Sequence, residues 1–199
     1  MGFSTLIDIF GSTIIGSILF LILLRLNDAS VENTYMNGGE LIVQQNLVEA
    51  VQLIEYDFRK IGYCADWTKI PDPSKAIISA DSSSIDFLTD VDSDGNVDTM
   101  HYYLGDASEL TETPNPDDKL LYRVINDATP RGSNLGITQF KMVYFNAVGD
   151  TIDFPISVPG EIYTMQINVT VASTTGYNNE FTSAFWRQIR LAARNLKNR

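Results

Sequence analysis

Cysteine and histidine are nearly absent from this chain of 199 residues, which has one of each, Cys64 and His101. A single thiol cannot form an internal disulfide, so a disulfide-stapled extracellular scaffold is excluded. One thiol and one histidine cannot build a His/Cys zinc site, and they leave few residues for a nucleophilic triad. We therefore expect no enzyme, a buried Cys64 and a His101 that packs as an aromatic residue.

Basic residues are also few, because 14 Lys and Arg stand against 25 Asp and Glu, for a net charge of -11. Nucleic-acid binding needs clustered Lys and Arg, so no nucleic-acid partner is expected. The charge is uneven along the chain. Residues 81–118 contain eleven carboxylates and no Lys or Arg, whereas 187–199 contain five of the fourteen basic residues.

One long apolar run lies near the N-terminus. Residues 9–24 carry no charge, and the run extends to 3–24 if Asp8 is included. As a helix it would be roughly 33 Å long, about the thickness of a bilayer core. Gly11 and Gly16 within it would let a neighbouring helix approach closely. No basic segment precedes the run and no cleavage site follows it, although a single-pass anchor or uncleaved signal sequence stays an alternative.

Asp8 lies inside this run, where a carboxylate is costly unless it faces a partner. We therefore predict subunit contacts at Asp8, Gly11 and Gly16.

A second helical pattern follows and predicts an amphipathic continuation of the helix. Its expected apolar face comprises Leu41, Gln44, Val48, Val51, Ile54, Phe58 and Ile61. Gly38 and Gly39 predict a kink or a short melted stretch, and Gly62 after two basic residues predicts the helix end. The chain thus divides into an apolar helix (1–26), its amphipathic continuation (27–62) and a β-rich head (63–199).

The head contains short β-prone runs separated by turn residues. Strands are expected at 76–80, 84–88, 99–104, 119–125, 137–146 and 161–172. The last of these alternates strictly, with Met165, Ile167, Val169 and Val171 on one face, as in a half-buried sheet. We predict an α+β fold in which an antiparallel sheet packs on the amphipathic half of the long helix.

An acidic loop at residues 90–98, with the sequence DVDSDGNVD, could hold a cation. Oxygen ligands occupy its positions one, three, five, seven and nine, with glycine at six, which is a spacing that suits Ca²⁺. The predicted ligands are Asp90, Asp92, Asp94, Asn96 and Asp98. Position twelve is His101 rather than a bidentate acid, so the loop is not an EF-hand. A solvated acidic hairpin without an ion is the alternative.

Two segments resemble a known family. Residues 2–8, GFSTLID, are similar to the Gly-Phe-Thr-Leu-Ile-Glu start of type IV pilins and pseudopilins, with an added Ser4 and with Asp8 in place of the glutamate. Residues 58–63, FRKIGY, resemble the stretch that closes the long helix in larger minor pilins and J-type pseudopilins. The resemblance implies a pilin-like fold and peptidase cleavage after Gly2. It also implies that a carboxylate, here Asp8, contacts the new N-terminal amine of a neighbour.

The conformation of residues 181–199 stays open at this point. Their apolar and basic residues separate by helical periodicity, whereas the resemblance implies a strand that ends at Arg194-Asn195-Leu196.

These patterns favour a structural subunit of an extracellular pilus-like filament. Its partners would be copies of itself, the inner membrane before assembly and an assembly machinery. A minor pilin or pseudopilin of a secretion or pilus machine is one alternative, and a single-pass anchored Ca²⁺-binding surface domain is another. Because the expected ion is structural, no catalytic cofactor is predicted.

Overall fold

The computed structural model describes residues 2–126, 128–176 and 180–191, with the side chains of 189–191 excepted. Within these ranges the chain forms one long helix, α1 (Gly2–Arg59), followed by seven strands. The strands are β1 (Ile77–Ala80), β2 (Ser84–Thr89), β3 (Asp98–Leu104), β4 (Lys119–Ile125), β5 (Gly132–Phe145), β6 (Thr164–Ala172) and β7 (Ser183–Leu191).

The strands form one antiparallel sheet in which each strand pairs with the next along the chain. The predicted α+β architecture is therefore confirmed, and all six predicted strands are present. β5 begins at Gly132, five residues before the predicted start. In β6 the alternation is as expected, because Met165, Ile167, Val169 and Val171 are fully buried.

The C-terminal segment contains a strand, so helical periodicity is wrong for Ser183–Leu191. Ala184 and Trp186 pack against the core while Phe185 and Arg187 point outward, which is the period of two that a strand requires. Pairing of Val169 with Trp186 fixes the register on β6. The expected strand end at 194–196 lies outside the described residues.

α1 runs without interruption through Gly38 and Gly39, so the predicted melted stretch is wrong. The β6–β7 connection lies against the helix at the second glycine. A Cβ at Gly39 would lie 3.6 Å from Ser173 Oγ and 3.8 Å from Thr182 Oγ1, which are ordinary van der Waals distances. The predicted helix end is confirmed, because α1 stops at Arg59 and Gly62 adopts φ +73°.

The buried face of α1 differs from the predicted one in its first half. Leu41 is 70% exposed and Val48 is 52% exposed, whereas Val43 and Ala50 are buried together with Ile54 and Phe58. At 100° per residue, Leu41 and Val48 lie well away from Val43 and Ala50 around the helix. Apolar residues occupy both sides here, so spacing alone could not identify the side that the sheet covers.

The order of the strands follows the axis of α1. β7 and the connection before it lie beside Gly39, whereas at the other end Gly62 N–H donates to the Leu88 carbonyl of β2 (2.9 Å). The 21 helical residues from 39 to 59 span about 31 Å of helix. Six strand spacings of about 4.8 Å give a similar 29 Å. The head thus has a lower end at β7, toward the apolar half of α1, and a distal end at β1 and β2.

A buried charge network joins the helix to the middle of the sheet. The Asp57 carboxylate is 1% exposed and accepts hydrogen bonds from Arg123 Nε (2.6 Å) and Nη2 (3.1 Å) and from the Tyr102 hydroxyl. Burial and the Asp57 charge raise the pKa of Tyr102, and the hydrogen bond to Asp57 raises the pKa of Arg123. Both groups therefore stay protonated, and both carboxylate oxygens of Asp57 have hydrogen-bond donors.

Asp118 is a second buried acid, and it has no such partner. Neither of its carboxyl oxygens makes a hydrogen bond. Burial raises the pKa of Asp118, and the nearby Lys119 amide and Thr113 hydroxyl offset this only in part. Ionisation at this site is therefore unfavourable to the folded head.

We expect Asp118→Asn to stabilise the protein at neutral pH. Because the folded-state pKa is raised, stability is lost as the pH rises through that value, and a neutral amide removes this loss. The expected gain is about 1 kcal/mol, or roughly 2–4 °C in Tm, at pH 7 and close to zero at pH 3. Thermal unfolding followed by circular dichroism at both pH values measures it. The exposed neighbour Asp117→Asn is the control, and an equal gain at both pH values would contradict the explanation.

Candidate functional site

The N-terminal part of α1 has no cover from the other residues that the structure describes. Every large apolar side chain between Phe3 and Leu26 is exposed, at 44% or more. This segment is long and apolar enough to cross a membrane, and its most apolar window is not buried at all within the structure. From Val43 onward the same helix packs on the sheet. The helix therefore has one covered and one uncovered part.

Three hydroxyl side chains in the uncovered part are satisfied within the helix. The hydroxyls of Ser12 and Thr13 both donate to the Ile9 carbonyl, at 2.9 and 2.8 Å, and Ser17 donates to the Thr13 carbonyl at 2.7 Å. Such bonds remove the cost of placing a hydroxyl in lipid or among apolar helices. The segment is chemically suited to surroundings without water.

The three predicted subunit-contact residues lie on this uncovered part. Asp8 and Gly16 are exposed and Gly11 is half-exposed. A Cβ added at either glycine would meet nothing within 4 Å, so neither glycine serves the packing of its own chain. At 100° per residue the two glycines point about 140° apart, so they lie on different sides of the helix.

The acidic loop brings together three of its five predicted ligands. One ligand atom from each of Asp90, Asp92 and Asp98 lies within 4.8 Å of the others. The remaining two are engaged elsewhere, since Asn96 donates from Nδ2 to Asp94 (2.7 Å) and accepts from Lys69 Nζ (2.8 Å). The cluster thus offers carboxylates to a cation but not the full set that the spacing suggests.

Asp90 organises the loop through backbone hydrogen bonds. Its carboxylate accepts from the N–H groups of Ala65 (3.0 Å), Asp94 (3.1 Å) and Gly95 (3.0 Å). Burial alone would raise the pKa of Asp90, but these bonds together hold it below its usual value. The positive φ values of Ser93 (63°) and Gly95 (84°) close the turn. The carboxylate is therefore ionised, and the protein itself satisfies much of its charge.

The loop is fixed to the distal end of α1. Lys60 Nζ donates to the Val91 carbonyl at 2.8 Å, and the Asp90 N–H donates to the Tyr63 carbonyl at 2.8 Å. Asp92 and Asp94 remain exposed at the tip. Their charges face solvent at the end of the head that is farthest from the apolar segment.

The expectations for the two rare residues can also be compared with the structure. Cys64 is 2% exposed, so the prediction that it is buried is confirmed. His101 packs against Tyr103 with ring centroids 4.7 Å apart and ring planes tilted by 41°, and its Nδ1 contacts the Asp86 carboxylate. Asp86 in turn accepts from Ser79 Oγ (2.6 Å). The acid therefore lies between the serine and the histidine, and the three groups do not form a nucleophile–base pair.

Sequence reasoning missed the charge network of Asp57, Tyr102 and Arg123. A signal was present, because Asp57 precedes Phe58 and shares the face of Ile54 and Ile61, and an acid on an apolar helix face implies a buried partner. The partner could not be named, since Arg123 lies 66 residues away.

Comparisons of the chain with protein-family models, with curated proteins and with solved structures find no match.

Calcium binding at the acidic loop stays a prediction, and the thermal stability of the protein tests it. Calcium at 100 times its dissociation constant would stabilise the folded state by about 2.7 kcal/mol, or roughly 5–10 °C in Tm. The measurement compares excess calcium with EDTA. The joint change Asp92→Asn with Asp98→Asn should abolish the difference, while Glu112→Gln, an exposed acid elsewhere, should keep it. An unchanged Tm in the wild-type protein would favour the hairpin without an ion.

Proposed function

We propose that this chain is a structural subunit of an extracellular pilus-like filament, assembled through its apolar N-terminal helix. The observation that carries the proposal is the uncovered part of α1, where apolar side chains from Phe3 to Leu26 are exposed. Before assembly the inner membrane covers this segment. In the filament, the same segments of other copies cover it, and the acidic heads face outward.

The continuity of α1 supports assembly over simple anchoring. An anchor needs only to hold a domain at a membrane, and a flexible linker is sufficient for that purpose. Here the exposed segment and the segment packed on the sheet belong to one helix, Gly2–Arg59. Packing of the apolar segments therefore fixes the position of every head. Such rigid coupling is what an ordered polymer requires.

The glycines favour contacts with more than one neighbour. Small residues let helix backbones approach closely, and contact between backbones is a main source of helix association where water is absent. Because Gly11 and Gly16 lie on different sides of α1, a single two-helix pair would use only one of them. A bundle in which each helix has several neighbours uses both. Leu41 and Val48 are exposed because the sheet leaves them uncovered, and they extend this contact surface along α1 toward the head.

Two alternatives predict different assemblies. A minor pilin or pseudopilin would carry the same contacts and occur in few copies within a filament made by another subunit, with the assembly machinery as its partner. A single-pass anchored domain that binds Ca²⁺ through its acidic loop would leave the apolar segment in the membrane as a monomer. Negative-stain microscopy of surface material, with antibody labelling of the head, distinguishes all three by the density of label along filaments.

Deletion of residues 1–26 should give a soluble, folded monomer that forms no filaments. The head keeps its helix partner, because the residues of α1 that the sheet buries begin at Val43. Sedimentation velocity measures the monomer, circular dichroism measures the fold, and microscopy measures the loss of filaments. Filaments from the truncated chain would show that the apolar segment is not the assembly element.

Asp8→Ala should reduce incorporation into filaments more than Asp28→Ala. An exposed carboxylate within an apolar segment needs a partner once helices pack around it, and a neighbour's new α-amino group would supply one if cleavage after Gly2 occurs. We expect a loss of roughly tenfold, which corresponds to about 1.4 kcal/mol per subunit. Asp28 is also exposed on α1 but lies beyond the apolar run.

Quantitative immunoblotting of sheared filaments gives the yield of each variant, and intact mass spectrometry shows whether the chain begins at Phe3. Equal yields from the two variants would show that Asp8 makes no essential contact. A chain that retains Met1, together with a loss specific to Asp8→Ala, would assign Asp8 a partner other than the amine.

A further inference from the structure

A cationic groove lies on the outer face of the sheet near its lower edge. The strand register places Lys141, Asn168 and Arg187 in one row across β5, β6 and β7. Phe140, Met142, Ile167 and Val169 on the same strands are buried, so this row faces outward. The groove beside this row has a volume of about 420 Å³. Arg187 is the cation in its lining, together with Ser183 and Phe185, and Lys141 lies next to the groove, paired with Asn168 in the row.

The groove has the composition of an uncovered contact surface. Phe185 on β7 is 76% exposed and presents an aromatic ring to solvent beside Arg187. Lys141 and Arg187 form no ion pair with any carboxylate in the described part of the chain, and Arg187 Nε instead donates to Asn168 Oδ1 at 2.9 Å. An exposed aromatic beside unpaired cations fits an acidic protein segment.

The acidic loop at the opposite end of the same head is such a segment. Asp92 and Asp94 are exposed at its tip, while Asp90 and Lys60 hold its base rigid. Exposed acids elsewhere on the head are more scattered along the chain than the four carboxylates of residues 90–98. Those at 106–117 also lie near the lower end, where Asn115 Nδ2 donates to the Ser173 carbonyl.

From these observations we infer that the cationic groove binds the acidic loop, residues 90–98, of a second copy of this chain. The inference rests on the proposed filament and names its contact between heads. The two surfaces differ and lie at opposite ends of the head along α1, so the contact is head-to-tail. A heterologous contact of this kind builds an open polymer when its rotation does not close into a ring. The polymer then grows in the direction of the parallel α1 helices of its subunits.

Chemical cross-linking of the full-length chain in its native membranes tests this contact. Ser93→Cys lies in the loop and Ser183→Cys lies in the groove, and both serines are exposed. Neither change alters a charge. A short bis-maleimide reagent should join chains carrying both substitutions into a ladder of dimers, trimers and longer products. Cys64 is buried, so the unsubstituted chain should give no ladder.

Two matched controls use exposed serines elsewhere. The first control pairs Ser93→Cys with Ser133→Cys in place of the groove substitution. The second pairs Ser183→Cys with Ser108→Cys in place of the loop substitution. Each control pair should give at least roughly tenfold less ladder. Adding Arg187→Glu to the productive pair should reduce the ladder by a similar factor. Asp92→Lys together with Asp94→Lys should then restore it, because the opposite charges are exchanged.

The absence of a ladder, or an equal ladder from the control pairs, would overturn the inference. Microscopy of the same samples separates this result from the proposed function. Filaments without the specific ladder would leave the filament proposal standing and remove the head contact. A specific ladder without filaments would support the contact and count against the filament.

Discussion

The burial of one end of α1 beneath the sheet determines the direction in which the exposed apolar segment leaves the head. Val43, Ala50, Ile54 and Phe58 are at most 1% exposed, and each large apolar side chain buried in this way contributes about 1.5–3 kcal/mol. Within the described part of the chain, the first part of the helix stays uncovered. Because α1 is continuous, the direction of the apolar segment is set by the same packing that forms the head. Folding of the head and orientation of the exposed apolar segment are therefore one event.

The network of Asp57, Arg123 and Tyr102 makes this packing specific. Apolar contacts alone tolerate sliding or rotation of a helix on a sheet, but a buried carboxylate must meet its donors in one position. The favourable contacts of such a pair roughly balance its desolvation, so its main effect is on uniqueness rather than on net stability. Removal of one partner would leave a buried charge, which is why rotation of α1 away from this register is costly. A fixed register gives every head the same orientation relative to its helix.

The sequence was sufficient for the architecture and insufficient for the contacts that orient it. Six strands were located from β-prone runs between turn residues. The alternation in β6 was unambiguous, because a period of two indicates a strand. The face of α1 around Leu41 and Val48 was assigned wrongly, since both sides of the helix are apolar and only the sheet decides between them. β7 has a helical spacing of apolar and basic residues, but hydrogen bonding to β6 overrides it. In the acidic loop, five ligands were expected from spacing, yet side-chain bonds direct Asp94 and Asn96 toward each other and toward Lys69.

The two roles considered for the acidic loop compete with each other. A cation held by Asp90, Asp92 and Asp98 would neutralise charge at the tip, and the attraction to a cationic groove would fall with it. Asp90 already receives three backbone N–H bonds, so the loop keeps its shape without an ion. Its exposed carboxylates, Asp92 and Asp94, are then free to meet Lys141 and Arg187 of another copy. Calcium would act on such a contact as an antagonist, and the head would respond to the ion through assembly as well as through stability.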